Sequence, residues 1–382
     1  MSVKSQLDQQ AFLEREKSAE YLMIKSLTAS NFKCFKQVEL TSLRWINVVV
    51  GRNASGKTAL LELIKLALEG TPATIPWLNQ MRNMATIMPI QATGEQFQGQ
   101  FRDFFYEFNT ENAIEVVVHD STQRTAALRV YFDAKRATTL PLGFQAGAIA
   151  ATSPSRIVPL AFDRTDFNGR KTMNIATLNN QGQPQFSGRE SMGMKCLFFS
   201  NIYFGNPSEN AAWLSALSVD KRDAEISAAI RKHFPFIAGV GSETPFAGAP
   251  AIVYADIPTL PRKVPLSLVS GGISRLFTII LGIVTGQGGV VIVDELENGI
   301  FYDQYPLIWQ SLADIAREHK TQLFISTHSG ECLEALLPTI RGNENDFSLL
   351  RAEKENGASR ISQFTGVEFE GALAKGGEIR RP

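Results

Sequence analysis

A glycine-rich stretch in the first part of the chain limits the folds open to it more than any other feature. Residues 51–58 read GRNASGKT and match the pattern of a glycine, four residues, a glycine, a lysine and a threonine. The apolar run WINVVV precedes the stretch, and an apolar helix is predicted from Ala59 to Glu69, with Gly70 placed to end it. A buried strand, a phosphate loop and a helix in this order predict an α/β fold with a mostly parallel sheet.

This phosphate loop predicts a site for ATP and Mg²⁺. Its glycines allow backbone N–H groups to surround phosphate oxygens. Lys57 is expected to contact the β- and γ-phosphates, and the Thr58 hydroxyl is expected to bind Mg²⁺. The predicted nucleotide-binding residues are Gly51, Arg52, Asn53, Ala54, Ser55, Gly56, Lys57 and Thr58.

Two further apolar strands end in chemically active side chains. VVIVDELE places Asp294 where a carboxylate can hold Mg²⁺, and Glu295 where a carboxylate can polarise the attacking water. Two interpretations of Glu297 remain: it belongs to the metal site, or it is a solvated charge. FISTHS ends a strand with His328, which can contact a γ-phosphate or orient the water. We predict Glu295 and His328 as catalytic residues, and Thr58 and Asp294 as metal ligands.

The stretch VSGGISRL forms a second candidate site for an anion. Ser270, Gly271 and Gly272 open an apolar helix. The unpaired N–H groups and the dipole at the start of a helix favour negative charge. From these residues alone, a plain tight start to a helix is the alternative interpretation.

Composition places the chain among ordinary globular proteins. It has 382 residues, 44% hydrophobic and 20% charged, which is typical of a soluble protein with two or three modules. The formal net charge of zero provides no overall attraction to nucleic acid or to an anionic membrane. Three cysteines are too few for a disulfide framework, no signal peptide is evident, and the apolar runs are shorter than the roughly 20 residues of a membrane helix. We expect a cytoplasmic protein without a membrane partner.

The patterns along the chain divide it into four predicted segments. Residues 1–20 form a polar N-terminal tail, and residues 21–74 carry the phosphate loop. Residues 75–255 form an insert with strands and helices, and residues 256–382 carry VSGGISRL, the acidic strand and the histidine strand. No sustained heptad is present, which argues against a long coiled coil.

Five motifs in order carry a resemblance to a known group: NFKCF, GRNASGKT, VSGGISRL, VVIVDELENGI and STHSGECLEAL. Together they resemble the ABC-type ATPase heads of the SMC, RecF and OLD (overcoming-lysogenisation-defect) group, and most of all its stand-alone bacterial AAA-family ATP-binding proteins. The similarity covers about residues 21–70 and 255–345. It implies a P-loop NTPase of ABC-ATPase type, with a mixed sheet, an antiparallel β subdomain and a helical signature lobe. It also implies hydrolysis of ATP to ADP and phosphate.

The resemblance further implies a homo-oligomer. In this group the Ser-Gly-Gly core of the signature, here Ser270, Gly271 and Gly272, binds the γ-phosphate held by the other subunit's phosphate loop. The implied cycle is ATP-dependent formation of a dimer or higher oligomer, followed by hydrolysis and reopening. Stand-alone relatives commonly act in phage-defence or toxin-like systems, which implies control of an effector protein such as a nuclease or toxin.

Several positions depart from the group's pattern. Ile273 replaces the usual glutamine or glutamate of the signature, and Phe301–Tyr302 stand where relatives often carry a histidine pair. Ala54 replaces a glycine, and it is expected to fit if its φ angle is negative. Two interpretations of Lys33 also remain: it contacts the nucleotide, or it is a solvated lysine of a hairpin. A glutamine-bearing lid loop has three candidate glutamines, which are Gln91, Gln96 and Gln98.

Three other functions are alternatives to an ATPase whose dimer closes on ATP and reopens on hydrolysis. A RecF-like DNA-repair ATPase is the main alternative, and DNA stays a candidate partner through a local basic stripe, although the zero net charge argues against a broad one. An OLD-like nuclease requires an acidic metal-binding domain, and the segment after His328 is too short for it. A transporter subunit requires membrane partners, for which the chain offers no segment.

Overall fold

The computed structural model describes most of the chain. The described residues are 23–83, 92–140, 145–146, 149–150, 155–188, 193–201, 206–355, 357–366, 368–369 and 371. The predicted N-terminal tail, residues 1–20, and the candidate lid glutamine Gln91 lie outside these ranges. Within them, no helix has both the length and the apolar character to cross a membrane.

Strands and helices alternate around the phosphate loop, as the sequence predicts. The strands are β1 (Ile24–Phe32), β2 (Phe35–Leu40), β3 (Ile46–Gly51), β4 (Ile114–Asp120), β5 (Thr125–Phe132), β6 (Thr138–Leu140), β7 (Gln145–Ala146), β8 (Ile149–Ala150), β9 (Ser155–Ile157), β10 (Leu160–Thr165), β11 (Lys171–Leu178), β12 (Pro184–Phe186), β13 (Cys196–Phe199), β14 (Gly239–Glu243), β15 (Ile252–Asp256), β16 (Val264–Pro265), β17 (Val290–Val293), β18 (Gln322–Ser326), β19 (Phe347–Glu355) and β20 (Ala358–Thr365). The helices are α1 (Lys57–Glu69), α2 (Thr74–Met81), α3 (Gly94–Arg102), α4 (Pro207–Val219), α5 (Asp223–His233), α6 (Leu266–Val269), α7 (Gly271–Thr285), α8 (Tyr305–Glu318), α9 (Gly330–Glu334) and α10 (Leu337–Ile340).

A six-stranded mixed sheet positions the candidate site. Its strand order is β13-β17-β18-β3-β19-β20, and every pair is parallel except β19–β20. Strands β17, β18 and β3 are adjacent and parallel, so their carboxyl ends meet at one edge of the sheet. The phosphate loop, Asp294 and His328 follow these three strands. Ligands of open α/β sheets bind outside this edge.

The central strands are apolar along their whole length because both faces of the sheet are covered. On β17, Val290 and Ile292 pack into the core shared with α1 and the antiparallel strands. Their neighbours Val291 and Val293 pack into the core shared with α7 and α8. Burial on both faces explains why the sequence shows an unbroken apolar run here instead of an alternating one.

A seven-stranded antiparallel sheet covers the other side of α1. Its order is β12-β11-β10-β5-β4-β1-β2, so residues before and after the phosphate loop contribute to one sheet. Helix α1 is buried almost all round, and its left-handed C-cap Gly70 donates its N–H to Leu66 O at 2.8 Å. The predicted antiparallel β subdomain is confirmed.

The predicted helical signature lobe is also confirmed. Helices α4 and α5 pack with α7 and the three-stranded sheet β14-β15-β16 into the second core. A buried hydrogen bond ties α4 to α7, in which Asn210 Nδ2 donates to Thr278 Oγ1 at 2.7 Å. The signature sequence therefore opens a helix that is packed along its length, and only the start of that helix is exposed.

Candidate active site

The phosphate loop joins β3 to α1 through a backbone that only some residues can adopt. Gly51 has φ of 147° and Gly56 has φ of 110°, both in the region that favours glycine. A Cβ at Gly51 would also lie 2.3 Å from Ala352 O and 2.6 Å from Ser55 Oγ. These two positions therefore require glycine for conformation, and the first requires it for space as well.

Ala54 does not have the negative φ angle under which an alanine was expected to fit here. Its φ is 60°, because the loop turns through a left-handed residue before Gly56. For an L-residue with a Cβ this conformation costs roughly 1–2 kcal/mol. The condition for an unstrained fit is therefore not met, and the loop contains a strained residue at Ala54.

Replacing Ala54 with glycine is expected to stabilise the protein by about 0.5–1 kcal/mol. The removed strain exceeds the added freedom of the unfolded chain. Urea unfolding measures the change as a higher midpoint at constant slope. Ala59→Gly is the matched control, because Ala59 lies inside α1 and glycine there should destabilise by about 1 kcal/mol. A loss of stability in Ala54→Gly equal to that of the control would contradict the strain.

Lys57 folds back over the loop. Its Nζ donates to Gly51 O at 2.8 Å and to Arg52 O at 3.0 Å. Burial lowers the pKa of Lys57, while the carboxylates of Asp294, Glu295 and Glu297 oppose this change. The ammonium group is thus held at the mouth of the loop, on the side of the acidic residues.

Thr58 and Asp294 meet across the site. Thr58 Oγ1 donates to Asp294 Oδ2 at 3.0 Å, and Ser326 Oγ donates to Asp294 Oδ1 at 2.5 Å. Asp294 is 2% exposed, and burial raises its pKa despite these two hydrogen bonds. A buried carboxylate next to a threonine hydroxyl supplies the oxygen ligands that Mg²⁺ prefers.

Glu295 has a fixed carboxylate and an unusual backbone. Asn201 Nδ2 donates to Oε2 at 3.1 Å, and Asn298 Nδ2 donates to the same oxygen at 2.8 Å. Burial raises the pKa of Glu295, but these hydrogen bonds and the electrostatic effects of His328 and Lys57 outweigh burial, so the pKa is lowered. The φ of Glu295 is 53°, a left-handed value in a residue that is not glycine.

His328 is held by Glu297. The side chain of His328 is 45% exposed, and its Nδ1 lies 2.9 Å from Glu297 Oε1 and 3.8 Å from Glu295 Oε1. Glu297 Oε1 also accepts from the backbone N–H groups of His328 at 2.7 Å and Ser329 at 3.1 Å. Glu297 is 8% exposed, so the interpretation as a solvated charge is wrong. Its carboxylate orients the histidine turn.

Lys33 is not a solvated hairpin residue either. Its side chain is 14% exposed, and Nζ lies 2.6 Å from Glu62 Oε2. Arg82 Nε and Nη2 also donate to the two oxygens of Glu62, at 2.5 and 2.8 Å. Burial lowers the pKa of Lys33 despite the opposing charge of Glu62. Glu62 and Arg82 line a pocket of about 330 Å³ together with Thr58, Asp294 and Asn201.

A larger pocket of about 650 Å³ lies on the other side of the phosphate loop. The pocket is lined by the phosphate-loop residues Gly51, Arg52, Asn53 and Ser55, by His328 and by the end of β19. Its lining and that of the smaller pocket do not include Ser270, Gly271 or Gly272. The structure thus brings the phosphate loop, Asp294, Glu295 and His328 together, whereas the signature triplet lies outside both pockets.

The signature triplet lies against the acidic turn of its own chain. A Cβ at Gly272 would be 1.9 Å from Gly299 O, so helix α7 begins in direct contact with the turn after Glu295. The Ser270 side chain makes no capping hydrogen bond to α7, and Gly271 is exposed. Among the candidate lid glutamines, Gln96 and Gln98 lie in α3, where Gln96 forms a capping box with Thr93.

Four polar residues that shape the site are not evident from the sequence. These are Asn201, Arg275, Asn298 and Ser326, each hydrogen-bonded to Asp294 or Glu295. Asn201 closely follows β13, which is parallel to the acidic strand, so its place near a strand end was the available signal. Arg275 belongs to the quoted signature stretch, but nothing local connects it to the acidic residues.

Comparison with known proteins gives one family and one curated relative. The AAA_15 family model, an AAA ATPase domain, matches residues 23–235. The chain is also similar to an ATP/GTP phosphatase of Helicobacter pylori (strain ATCC 700392 / 26695). That protein is 22% identical over 342 residues, which cover 85% of this chain and 90% of the relative.

Solved structures of SMC heads are similar over most of the chain. An SMC head bound to the C-terminal winged-helix domain of ScpA has a TM-score of 0.49 and 13% identity, covering 90% of this chain and 97% of that one. The SMC head domain from Thermotoga maritima has a TM-score of 0.44 and 15% identity, covering 89% and 98%. The family model covers more than half of the chain, so this protein belongs to the AAA_15 family of AAA ATPase domains and hydrolyses ATP.

Proposed function

We propose that this ATPase binds ATP with Mg²⁺ at its phosphate loop, uses Glu295 as general base and dimerises on ATP through its signature triplet. One observation carries the proposal. The Glu295 carboxylate is held by two asparagines directly after Asp294, which itself contacts Thr58 at 3.0 Å. A fixed carboxylate adjacent to a metal-binding pair is the arrangement that activation of water for phosphoryl transfer needs.

The residues of the loop fit a phosphate chain and a hard cation. Ser55 Oγ is buried and has no hydrogen-bond partner among the described residues, so it is available to a ligand in the loop. Thr58 Oγ1 and Asp294 Oδ2 are the oxygens that would hold Mg²⁺. The cation, when bound, supplies positive charge to the β- and γ-phosphate oxygens.

Hydrolysis then needs one proton acceptor and several fixed positive charges. Glu295 takes a proton from water, the water oxygen bonds to the γ-phosphorus, and the bond to the bridging oxygen breaks to release ADP. The amides of Asn201 and Asn298 occupy Oε2, which leaves Oε1 to accept the proton. Lys57 neutralises phosphate charge, and His328 lies where it can orient the water.

The exposed start of α7 supports a contact with a second copy. Leu268 is 79% exposed just before Ser270, and Phe301 and Tyr302 are 65% and 60% exposed just after the turn that touches Gly272. Aromatic and aliphatic side chains clustered at the surface are typical of interface cores. A second copy placed here would bring its γ-phosphate to the free hydroxyl of Ser270.

Replacing Ser270 with arginine tests this proposal. We expect ATP affinity within about twofold of the wild type, because Ser270 lies outside the pockets of its own loop. ATP-dependent dimers should weaken by at least about tenfold, since the new charge is buried unpaired in the contact. Light scattering with and without ATP measures the dimer, and calorimetry measures ATP binding. Wild-type dimerisation in the variant would overturn the role of the signature.

The proposed biological role is control of a partner effector, such as a nuclease or toxin, in bacterial phage defence. It is supported by the resemblance to stand-alone ATPases of this group. We also propose a cytoplasmic localisation, which the composition of the chain favours. Co-purification of the chain with the product of a neighbouring gene tests this role. The amount of that product bound by the wild type is compared with the amount bound by Glu295→Gln.

A further inference from the structure

Arg275 connects the signature helix to the acidic strand of the same chain. It lies on the first turns of α7 and is 2% exposed. Its Nη2 donates to Asp294 O and to Glu295 O, each at 2.7 Å. Burial lowers the pKa of Arg275 to about 10, and the three nearby carboxylates oppose this change, so the guanidinium stays charged at neutral pH.

The backbone that Arg275 contacts is strained. Glu295 has φ of 53°, and a non-glycine residue persists there only when its surroundings hold it. Its N–H donates to Ser326 Oγ at 2.8 Å, and its carbonyl accepts from Arg275. The two polar groups of this residue's backbone are therefore fixed by two different parts of the fold, one of which is the signature helix.

A second contact joins the same two parts. Gly272, three residues before Arg275, packs so closely on Gly299 O that a Cβ would lie 1.9 Å away. Residues three apart face the same side of a helix. One face of the start of α7 thus holds the acidic turn at two points, before and after Asn298, which itself donates to Glu295.

We propose that Arg275 is a positioning residue for ATP hydrolysis, and that through it the signature helix aligns the Glu295 carboxylate of its own subunit. The signature would then serve two sites, a partner's γ-phosphate through Ser270 and its own subunit's general base through Arg275. This inference rests on the proposed role of Glu295. A misplacement of about 1 Å in a reacting group can cost about 100-fold in rate, which is large enough to measure.

The test uses three variants of the full chain. Arg275→Met removes both hydrogen bonds, and Arg275→Lys keeps the charge with one ammonium group. Arg164→Met is the matched control, because Arg164 is 3% exposed and its Nη1 contacts the Glu69 carbonyl at the far end of α1. Steady-state and single-turnover ATP hydrolysis give the rate, calorimetry gives ATP affinity, and light scattering gives ATP-dependent dimers.

We expect Arg275→Met to lower kcat by about ten- to a hundredfold, with ATP affinity and dimerisation within about twofold of the wild type. Arg275→Lys should lose at least about fivefold, because one ammonium does not reproduce the planar fork. Arg164→Met should lose stability but keep its kcat. A merely structural role of Arg275 would give the same behaviour in both arginine-to-methionine variants.

Two results would overturn the inference. One is a wild-type single-turnover rate in Arg275→Met, or in Arg275→Lys if the methionine variant does not fold. The other is a loss of dimers equal to the loss of rate, which would place the effect in the contact with the partner. Full activity in Glu295→Gln is a different outcome, because it removes the general base and with it the proposed function.

Discussion

Glu295→Gln is expected to slow ATP hydrolysis by about 10²–10⁴-fold while ATP binding stays within about twofold of the wild type. Glutamine keeps the shape of the side chain and can still accept from Asn201 and Asn298, but its amide cannot take the proton from water. Asp294 and Thr58, the proposed Mg²⁺ ligands, stay in place. Single-turnover hydrolysis and calorimetry separate the chemical step from binding.

Glu331→Gln provides the control for this variant. Glu331 is exposed at the start of α9, one short turn away from His328, so the same chemical change there should leave the rate unchanged. Turnover of Glu295→Gln close to the wild-type rate would show that Glu295 only supports the turn. In that case the general base has to be sought elsewhere in the site.

Lys57→Ala is expected to weaken ATP binding by about ten- to a hundredfold or more. The lost hydrogen bond between an ammonium group and the phosphates contributes about 1.5–3 kcal/mol. The variant also loses the two contacts that hold the loop, from Nζ to Gly51 O and Arg52 O. Calorimetry with ATP and Mg²⁺ measures the affinity, and the exposed Lys36→Ala on β2 controls for the loss of one positive charge. An unchanged affinity in Lys57→Ala would contradict the assignment of the phosphate loop.

The sheet around the phosphate loop could be predicted because its signals are local. The apolar runs before Asp294 and His328 become β17 and β18, and their unbroken apolar character is typical of parallel strands that are buried on both faces. Parallel neighbours place their carboxyl ends together. That rule predicts that the phosphate loop and Asp294 lie at the same edge, where Thr58 Oγ1 is 3.0 Å from Asp294 Oδ2 although 236 residues separate them.

Long-range packing decided what could not be predicted. Lys33 and Glu297 are charged residues, which usually are solvated, but the side chain of each is largely shielded from solvent and pairs with a residue of another element. Asn201, which follows β13, contacts Glu295 although 94 residues separate the two in the chain. The φ angle of Ala54 depends on the path of the whole loop, which Lys57 holds through Gly51 O and Arg52 O, and the residue types beside Ala54 do not determine that path.

The role of Arg275 also could not be predicted from its neighbours in the sequence. The motif that contains it, VSGGISRL, suggested an anion site at Ser270–Gly272. The buried arginine two residues after Ile273 instead contacts the backbone of the acidic strand. A helix start has two faces, and the sequence pattern indicated only the exposed one.

A mixture of Lys57→Ala and Ser270→Arg, each of which we expect to hydrolyse ATP poorly, tests whether one chain's phosphate loop and another chain's signature complete one site. In the heterodimer of these variants, one of the two composite sites pairs an intact loop with an intact signature. We expect the mixture to regain part of the wild-type ATPase activity and to form ATP-dependent dimers, which light scattering detects. If neither activity nor dimers appear while the wild type shows both, Ser270 serves only the fold of its own chain.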